Sequence, residues 1–230
     1  MQRLPGYHSS GENMKIYLGL TGKKKVHEFA KRYDLGWCQT PDNCRPVPCG
    51  TYFIDNGAFV AYKNGTRFDS DRFYKLMDRY PDYDFVVVPD IVAGGMKSLE
   101  YSLTFVDTIQ RPRYLAVQDG MYSQGIREHL SKFDGIFVGG TIPWKMQTMK
   151  MWVDVAHLHG IKCHVGRIGN IQGYLICNAL GVDSVDGTYP SRNGDERPLR
   201  AFAEQASFND YDWFDIGPAD YRWKNLCESV

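Results

Sequence analysis

Phe85-Val86-Val87-Val88, followed by Pro89-Asp90, is an apolar run that stops at a carboxylate. Apolar runs without polar alternation are typical of strands buried on both faces, as in parallel sheets. The pattern recurs along the chain, at residues 16–19, 52–54, 114–117, 136–138, 162–165 and 184–185, with a last candidate at 213–216. The sequence therefore predicts a parallel sheet of eight short strands.

Helical patterns lie between several of these runs, at residues 71–79, 99–109, 126–130, 146–159 and 171–180. Gly160 and Gly181 follow the last two, where a glycine commonly ends a helix. Repeated alternation of strand and helix favours a (β/α)₈ TIM barrel, with a doubly wound open sheet as the alternative. The open sheet normally has a glycine fingerprint after its first strand, and Thr21-Gly22-Lys23-Lys24-Lys25 is neither that nor a Walker loop.

The chain is expected to form one barrel domain, residues 1–230, since no linker interrupts the pattern. Residues 1–13 are predicted to be a loose N-terminal segment, and residues 36–50, with three prolines, an ordered loop before the second strand. Cys38, Cys44 and Cys49 cluster in that loop, but the six cysteines lack C-x-x-C spacing. We therefore expect reduced thiols rather than a zinc site.

Composition indicates a globular protein with a sizeable core, because 43% of the residues are hydrophobic and 23% are charged. The formal net charge is zero, so bulk charge gives no nucleic-acid signature and any phosphate binding must come from local basic groups. No stretch is apolar and long enough to span a bilayer, and the first six residues are not a signal-peptide core. A cytoplasmic protein with no membrane partner is the expectation.

Polar side chains follow most of the predicted strands. In TIM barrels the carboxyl ends of the strands form the active site. Several carboxylates at the open end of a barrel, which we call its mouth, cost folding free energy through their mutual repulsion. That cost is offset when they bind a metal, another cation or a ligand rich in hydrogen-bond donors. One interpretation is a metal-dependent hydrolase, and the other is a pocket that recognises a base. The residues at the strand ends are Asp55, Asp90, Gln118, Asp119, Gly139, Gly140, His164 and Asp186.

The base pocket explains more of these residues than the metal site does. Phe59 follows Asp55 after small residues, and its ring could stack on a planar heterocycle, although a core position is as consistent with the sequence. Asp90 and Asp119 can accept hydrogen bonds from the N–H groups of a guanine-like edge. Backbone N–H groups around Gly140 could donate to a carbonyl oxygen, although Gly139-Gly140 also reads as a tight turn.

Asp186 ends the last apolar run, in Gly181-Val182-Asp183-Ser184-Val185-Asp186, and Pro190-Ser191-Arg192-Asn193 follows shortly after. A carboxylate at a strand end can face substrate, and an arginine in the next loop can hold a phosphate. Together they suggest chemistry at C1′ of a nucleotide. The alternative is a turn-capping aspartate followed by a solvated arginine. His164 is more typical of a packed, hydrogen-bonded histidine than of a catalytic one.

Four segments in order resemble motifs of the tRNA-guanine transglycosylase superfamily. The match covers more than half of the chain, with Asp90 lying between the first and second segments. Residues 53–59 are similar to the family's T-D-S-G-G-F-Q, and residues 117–120 to its I-Q-Q-G. Residues 138–140 are similar to its V-G-G-L. Residues 181–186 with 190–193 are similar to its G-V-D-M-F-D-C-x-x-P-T-R-N.

This resemblance implies a base exchange without a metal or redox cofactor. It makes Asp186 the nucleophile, Asp55 the general acid/base, Phe59 the stacking ring and Asp90 a guanine-edge acceptor. Gln118, Gly139 and Gly140 would complete the base pocket. Asp119 stands where the family has a second glutamine, so either Asp119 is protonated, or Gln118 takes its role, or the base differs.

The family's C-x-C-x-x-C…H zinc set after the nucleophile is lacking in the sequence, where only Cys227 follows Asp186. That departure resembles the compact, often phage-encoded relatives that insert 7-deazaguanines into DNA, so the expected partners are DNA and a free base such as 7-cyano-7-deazaguanine. The alternative substrate is tRNA, and the chain could form a homodimer. Expected contacts to the nucleic-acid backbone come from Lys145, Arg167, Arg192 and Asn193, with further basic candidates at residues 23–25 and Arg197.

Overall fold

The computed structural model describes residues 14–205. Eight parallel strands form a closed barrel in which each strand pairs with the next and the last pairs with the first. This confirms the (β/α)₈ architecture. The strands are β1 Lys15–Gly19, β2 Gly36–Gln39, β3 Tyr52–Ile54, β4 Val86–Val87, β5 Arg113–Val117, β6 Gly135–Val138, β7 Lys162–Val165 and β8 Ser184–Gly187.

Helices connect the strands around the outside of the barrel. In the described part of the chain none of them is long and apolar enough to cross a membrane. They are α1 Lys24–Arg32, α2 Ala58–Lys63, α3 Ser70–Arg79, α4 Met96–Leu103, α5 Ser123–Ile126, α6 Ile142–Leu158, α7 Ile171–Ala179, α8 Tyr189–Asn193 and α9 Arg197–Gln205, with a 3₁₀ helix at Arg127–Lys132.

The second strand differs from the prediction. Residues 36–39 form β2, where the sequence predicted an ordered loop from 36 to 50. The error arose because the strand is short, begins with a glycine and precedes a proline-rich segment, while its one large apolar residue, Trp37, is fully buried. The strand predicted at 213–216 lies outside the described residues. β2 is one of the eight strands of the closed barrel and pairs with β1 and β3.

The helix predicted at 99–109 also differs, because α4 spans Met96–Leu103 and the chain continues in turns to residue 108. In those turns the N–H of Phe105 donates to the carbonyl of Ser102 at 3.1 Å. The predicted helices at 71–79, 146–159 and 171–180 correspond to α3, α6 and α7, each within a few residues. Gly160 and Gly181 have the positive φ angles of helix-ending glycines.

Aromatic rings fill the interior of the barrel. Phe85 stacks between Phe53 and Tyr114, with ring centroids 4.7 and 4.0 Å away. Space for such rings comes from glycines on neighbouring strands. A Cβ on Gly36 would lie 2.3 Å from the Tyr17 ring, and one on Gly135 would lie 2.5 Å from the Tyr114 ring. The interior is therefore a packed core with its open end at the carboxyl ends of the strands.

Strand alternation decides which polar residues enter that open end. Phe53 points into the barrel, so Asp55, two residues later, lies on the same inward side. On β8, Ser184 and Asp186 share the inward side with His164 of β7, because both hydrogen-bond its ring. The outward positions, such as Ile54 and Val185, pack in the larger core between the strands and helices.

Candidate active site

Asp55 and Asp186 lie close together in the mouth of the barrel. Asp55 follows β3 and Asp186 is the third residue of β8. Their proximity has an electrostatic consequence, since the charge of Asp186 raises the pKa of Asp55. The structure thus brings together two carboxylates that belong to the first and the last of the four sequence motifs.

Asp186 is hydrogen-bonded by a buried histidine. Its Oδ1 lies 3.0 Å from Nε2 of His164, whose side chain is fully buried, and 14% of the Asp186 side chain is exposed. The other ring nitrogen of His164, Nδ1, lies 2.8 Å from Oγ of Ser184. The described residues provide no hydrogen-bond donor to Oδ2 of Asp186, which leaves that oxygen available to a ligand.

Asp55 has the electrostatics of an acid/base group. Burial raises its pKa to about 7, and the charges of Asp186 and Asp90 act in the same direction. The N–H of Gly57 donates to its Oδ1 at 2.7 Å, and this bond together with the charge of Arg167 limits the rise. Asp55 therefore exchanges a proton near neutral pH, which a general acid/base requires.

Asp90 is held by two side-chain amides. Asn56 Nδ2 donates to its Oδ1 at 2.9 Å, and Gln118 Nε2 donates to its Oδ2 at 3.0 Å. Burial raises its pKa, and these two hydrogen bonds oppose the rise. Asn56 is fixed in turn, because it also donates to the carbonyl of Val88 and accepts from the N–H of Ala58. Asp90 is a rigidly placed acceptor at the edge of the mouth.

Gln118 holds Asp90 in place and does not present free hydrogen-bonding groups to the mouth. Its side chain is almost fully buried. Its Nε2 donates to both Asp90 and Ser98, and its Oε1 accepts from the N–H of Ala93 at 2.6 Å. These bonds occupy its hydrogen-bonding groups, so a direct base contact would require them to be exchanged.

Asp119 accepts two hydrogen bonds from Thr141, the residue that precedes α6. The N–H and the hydroxyl of Thr141 donate to its two oxygens at 2.6 and 2.7 Å. Burial would raise its pKa, but these bonds and the charge of Arg167 outweigh that effect and lower it. Asp119 is thus an ionised acceptor at neutral pH, which does not fit the alternative that it is protonated.

Phe59 stands at the rim with its ring partly open to solvent. It is 44% exposed, which does not fit a core position. The guanidinium of Arg167 lies over its ring, with Cζ 4.6 Å from the ring centroid. Arg167 also donates to the carbonyl of Gly140 and has a positive φ of 61°, a conformation that is strained for a residue with a side chain. A planar cation therefore covers the ring where a base was predicted to stack.

Gly139 and Gly140 differ in what they offer a ligand. The N–H of Gly139 donates to the carbonyl of Val117 at 2.9 Å, which continues the pairing of β5 and β6. Gly140 has a φ of 72°, and its N–H has no acceptor in the described part of the chain. Of the pair, Gly140 is the one with a donor that a carbonyl oxygen could use.

Lys145 is buried, which corrects its assignment to the nucleic-acid backbone. Only 1% of the residue is exposed, and its ammonium donates to the carbonyl of Gly166 beneath the mouth. Burial lowers its pKa to about 7. A phosphate outside the barrel cannot reach this group. Helical spacing in residues 146–159 gave no sign that α6 begins earlier and turns Lys145 inward.

Arg192 and Asn193 lie at the end of α8 beside the mouth. Arg192 is exposed, and its carbonyl accepts a hydrogen bond from the ammonium of Lys23. This contact brings the lysines of residues 23–25 next to the loop that follows Asp186. Asn193 Nδ2 donates to the carbonyl of Tyr189 at 3.1 Å, and Arg197 forms an ion pair with Asp195.

Three residues that sequence reasoning did not select support the predicted ones. Ser184, Asn56 and Thr141 contact His164, Asp90 and Asp119 respectively. Ser184 was detectable in principle, because it lies two residues before Asp186 and so shares its side of β8. Asn56 and Thr141 act from loops, where periodicity gives no orientation.

The residues proposed for a metal site do not assemble into one. No group of three or more His, Cys, Asp or Glu side chains that could hold a metal ion occurs within residues 14–205. Cys38 faces the mouth near Asp55 and Asp186, and burial, followed by those two charges, raises its pKa. Cys44 is exposed, whereas Cys49 lies near the carbonyl of His27.

The chain matches no protein-family model, and no curated protein is significantly similar to it. The geometry of the mouth and the order of the sequence motifs are therefore the grounds for assigning a function.

Proposed function

We propose that this protein is a guanine transglycosylase that exchanges guanine in DNA for a 7-deazaguanine, such as 7-cyano-7-deazaguanine, through a covalent bond to Asp186. The observation that carries the proposal is the contrast between two neighbouring carboxyl groups. Asp186 accepts a hydrogen bond from a buried histidine, whereas Asp55 has a pKa raised to about 7. Two carboxyl groups whose environments differ in this way suit a nucleophile and an acid/base.

In the first displacement, an oxygen of Asp186 attacks C1′ of a nucleotide that has left the base stack. The bond between C1′ and N9 breaks, and its electron pair leaves with guanine. Protonated Asp55 gives its proton to the departing base. Because its pKa is about 7, about half of the molecules hold that proton at neutral pH.

In the second displacement, the Asp55 carboxylate takes the N9 proton of the incoming base, and N9 attacks C1′. The ester bond to Asp186 breaks and the carboxylate is regenerated. Two inversions at C1′ retain its configuration, as in retaining glycosidases. Protons and charges balance over the two steps, so the exchange consumes no co-reactant.

Residues around the mouth of the barrel provide the groups that recognise the base. Guanine and 7-deazaguanine share the same Watson–Crick edge, whose N–H donors suit the fixed carboxylate of Asp90. The N–H of Gly140, which has no acceptor among residues 14–205, suits a carbonyl oxygen of the base. The Phe59 ring suits its flat face, and a base stacked there takes the place of the Arg167 guanidinium.

A base-exchange assay tests the proposal. The protein is incubated with guanine-containing DNA or with tRNA and 7-cyano-7-deazaguanine, and digested nucleosides are analysed by mass spectrometry. We expect a modified deoxynucleoside with the wild-type chain and none with Asp186→Ala. Product on tRNA alone would assign the same chemistry to RNA. No product on either substrate from folded protein would contradict the proposal.

A further inference from the structure

Beneath Asp186 lies a buried hydrogen-bonded chain that runs from Ser184 through His164 to the carboxylate. We propose that His164 is a positioning residue for Asp186, whose Nε2–H donates to Oδ1 of the carboxylate and so directs Oδ2 at the carbon that is attacked. This inference rests on the proposed function, because it assigns a role to the partner of the nucleophile.

The hydrogen-bond partners determine which nitrogen of His164 carries the proton. An ionised carboxylate only accepts hydrogen bonds, so Nε2 must be the donor to Asp186. A neutral imidazole has one N–H, which leaves Nδ1 as the acceptor of the Ser184 hydroxyl proton at 2.8 Å. Ser184 therefore selects the tautomer that Asp186 requires, which is the usual role of the partner of the second ring nitrogen.

The charge state of His164 agrees with this assignment. Burial lowers its pKa, and the hydrogen bond and charge of Asp186 oppose that effect. The other charged group facing it is Lys145 of α6, which lowers the pKa further, while Tyr17 of β1 contributes a neutral ring. The imidazole is thus neutral at physiological pH and supplies a donor without placing a second positive charge in the core.

Packing holds the ring in one orientation. The ring of Phe137 stacks on it at a centroid distance of 4.9 Å and an interplanar angle of 15°. The rings of Phe53 and Phe85 lie 5.0 and 5.2 Å away. With the ring fixed, the direction of its N–H is fixed, and so is the rotation of the carboxylate that accepts it. A nucleophile held in its attacking geometry reacts faster than one that rotates freely.

Two substitutions at His164 separate positioning from packing. His164→Leu fills the core but removes the donor, whereas His164→Gln can place its own amide N–H toward Asp186. We expect His164→Leu to lower kcat for base exchange by about 10- to 100-fold, the typical effect of losing a hydrogen bond to a charged group. The KM for the incoming base should stay unchanged, and His164→Gln should recover most of kcat.

Phe85→Leu is the matched control, because it removes a ring that contacts His164 without touching Asp186. It should lower the Tm as His164→Leu does, and change kcat less. If His164→Leu and Phe85→Leu reduce kcat equally, or if Gln restores nothing, His164 has only a packing role. Failure of the wild-type chain to exchange bases on either DNA or tRNA would instead overturn the proposed function, and this role with it.

The tautomer provides a readout that needs no activity. In ¹⁵N NMR spectra of the full chain at neutral pH, His164 should be protonated at Nε2 alone, and Ser184→Ala should increase the population of the Nδ1–H form. An imidazolium, or a predominant Nδ1–H form in the wild-type chain, would overturn the proposal whatever the substrate is.

Discussion

Asp55 and Asp119 are two aspartates at the same end of the barrel with opposite shifts in pKa. Burial dominates at Asp55 and raises its pKa to about 7. At Asp119 the hydrogen bonds from Thr141 outweigh burial and lower the pKa. Residue type alone does not distinguish them, so their protonation states follow from local contacts that only the structure supplies.

Asp55→Asn should stabilise the folded chain, and more so at pH 8 than at pH 5. A carboxyl group with a raised folded-state pKa contributes stability at low pH that is lost as the pH rises through about 7. Asparagine carries no charge and avoids that loss. We expect a Tm gain on the order of 5 °C at pH 8, with base exchange abolished. Thermal unfolding at both pH values measures it.

Asp119→Asn is the control of opposite sign. Its lowered folded-state pKa contributes stability above the unfolded-state pKa, so the substitution should lower the Tm equally at pH 5 and pH 8. A gain from Asp55→Asn that is the same at both pH values would contradict the assigned titration of Asp55.

Phe59→Ala should weaken binding of the incoming base with little cost in stability, because the ring is 44% exposed. Stacking of a base on an aromatic ring contributes about 1–3 kcal/mol, so the KM for the base should rise about 5- to 150-fold. Phe59→Tyr retains the ring and serves as the control. Steady-state kinetics with varied base concentration decides this, and an unchanged KM for Phe59→Ala would exclude stacking.

Among the elements, α8 and the start of α1 bring basic residues to one side of the mouth. The Lys23 ammonium donates to the carbonyl of Arg192, although the two residues are far apart in sequence. From the sequence, the lysine run was only a further basic candidate for a contact to the nucleic-acid backbone. Its position follows from barrel closure, since β8 pairs with β1 and places the loops after them side by side.

Arg192→Ala should weaken binding of the nucleic-acid substrate and flatten its salt dependence, by about one unit in the slope of log K against log salt. Arg79→Ala is the control, because Arg79 ends α3 at the opposite end of the barrel. Binding titrations over a range of salt concentrations measure both slopes. Equal slopes for Arg192→Ala and the wild-type chain would rule out this phosphate contact.

Gly36→Ala tests the packing between β2 and β1. The added Cβ would lie 2.3 Å from the Tyr17 ring, so either the ring or the strand must move. Overpacking of this kind costs about 1–3 kcal/mol, and we expect the Tm to fall by about 2–10 °C. Gly22→Ala, whose nearest atom is 3.6 Å away in a flexible arginine, is the matched control. Equal Tm values for both variants would contradict the close contact between Gly36 and the Tyr17 ring.

For the whole molecule, the apolar runs were enough to predict a parallel barrel, since buried parallel strands lack alternation. They did not identify β2, which has too few apolar residues to form a run. The strand ends also gave most of the mouth, because inward positions recur every second residue. Lys145 and Gln118 show the limit of this reasoning, since their burial depends on how loops and α6 pack against the barrel.

Trapping the covalent intermediate shows whether Asp186 is the nucleophile of a base exchange. The wild-type chain is incubated with a short guanine-containing DNA strand and no incoming base, quenched in acid and analysed by intact-protein and peptide mass spectrometry. We predict an adduct of the strand minus guanine on the peptide that contains Asp186, and none with Asp186→Ala. An adduct on another residue, an adduct that persists in Asp186→Ala, or exchange by a wild-type chain that forms no adduct would show that Asp186 is not the nucleophile.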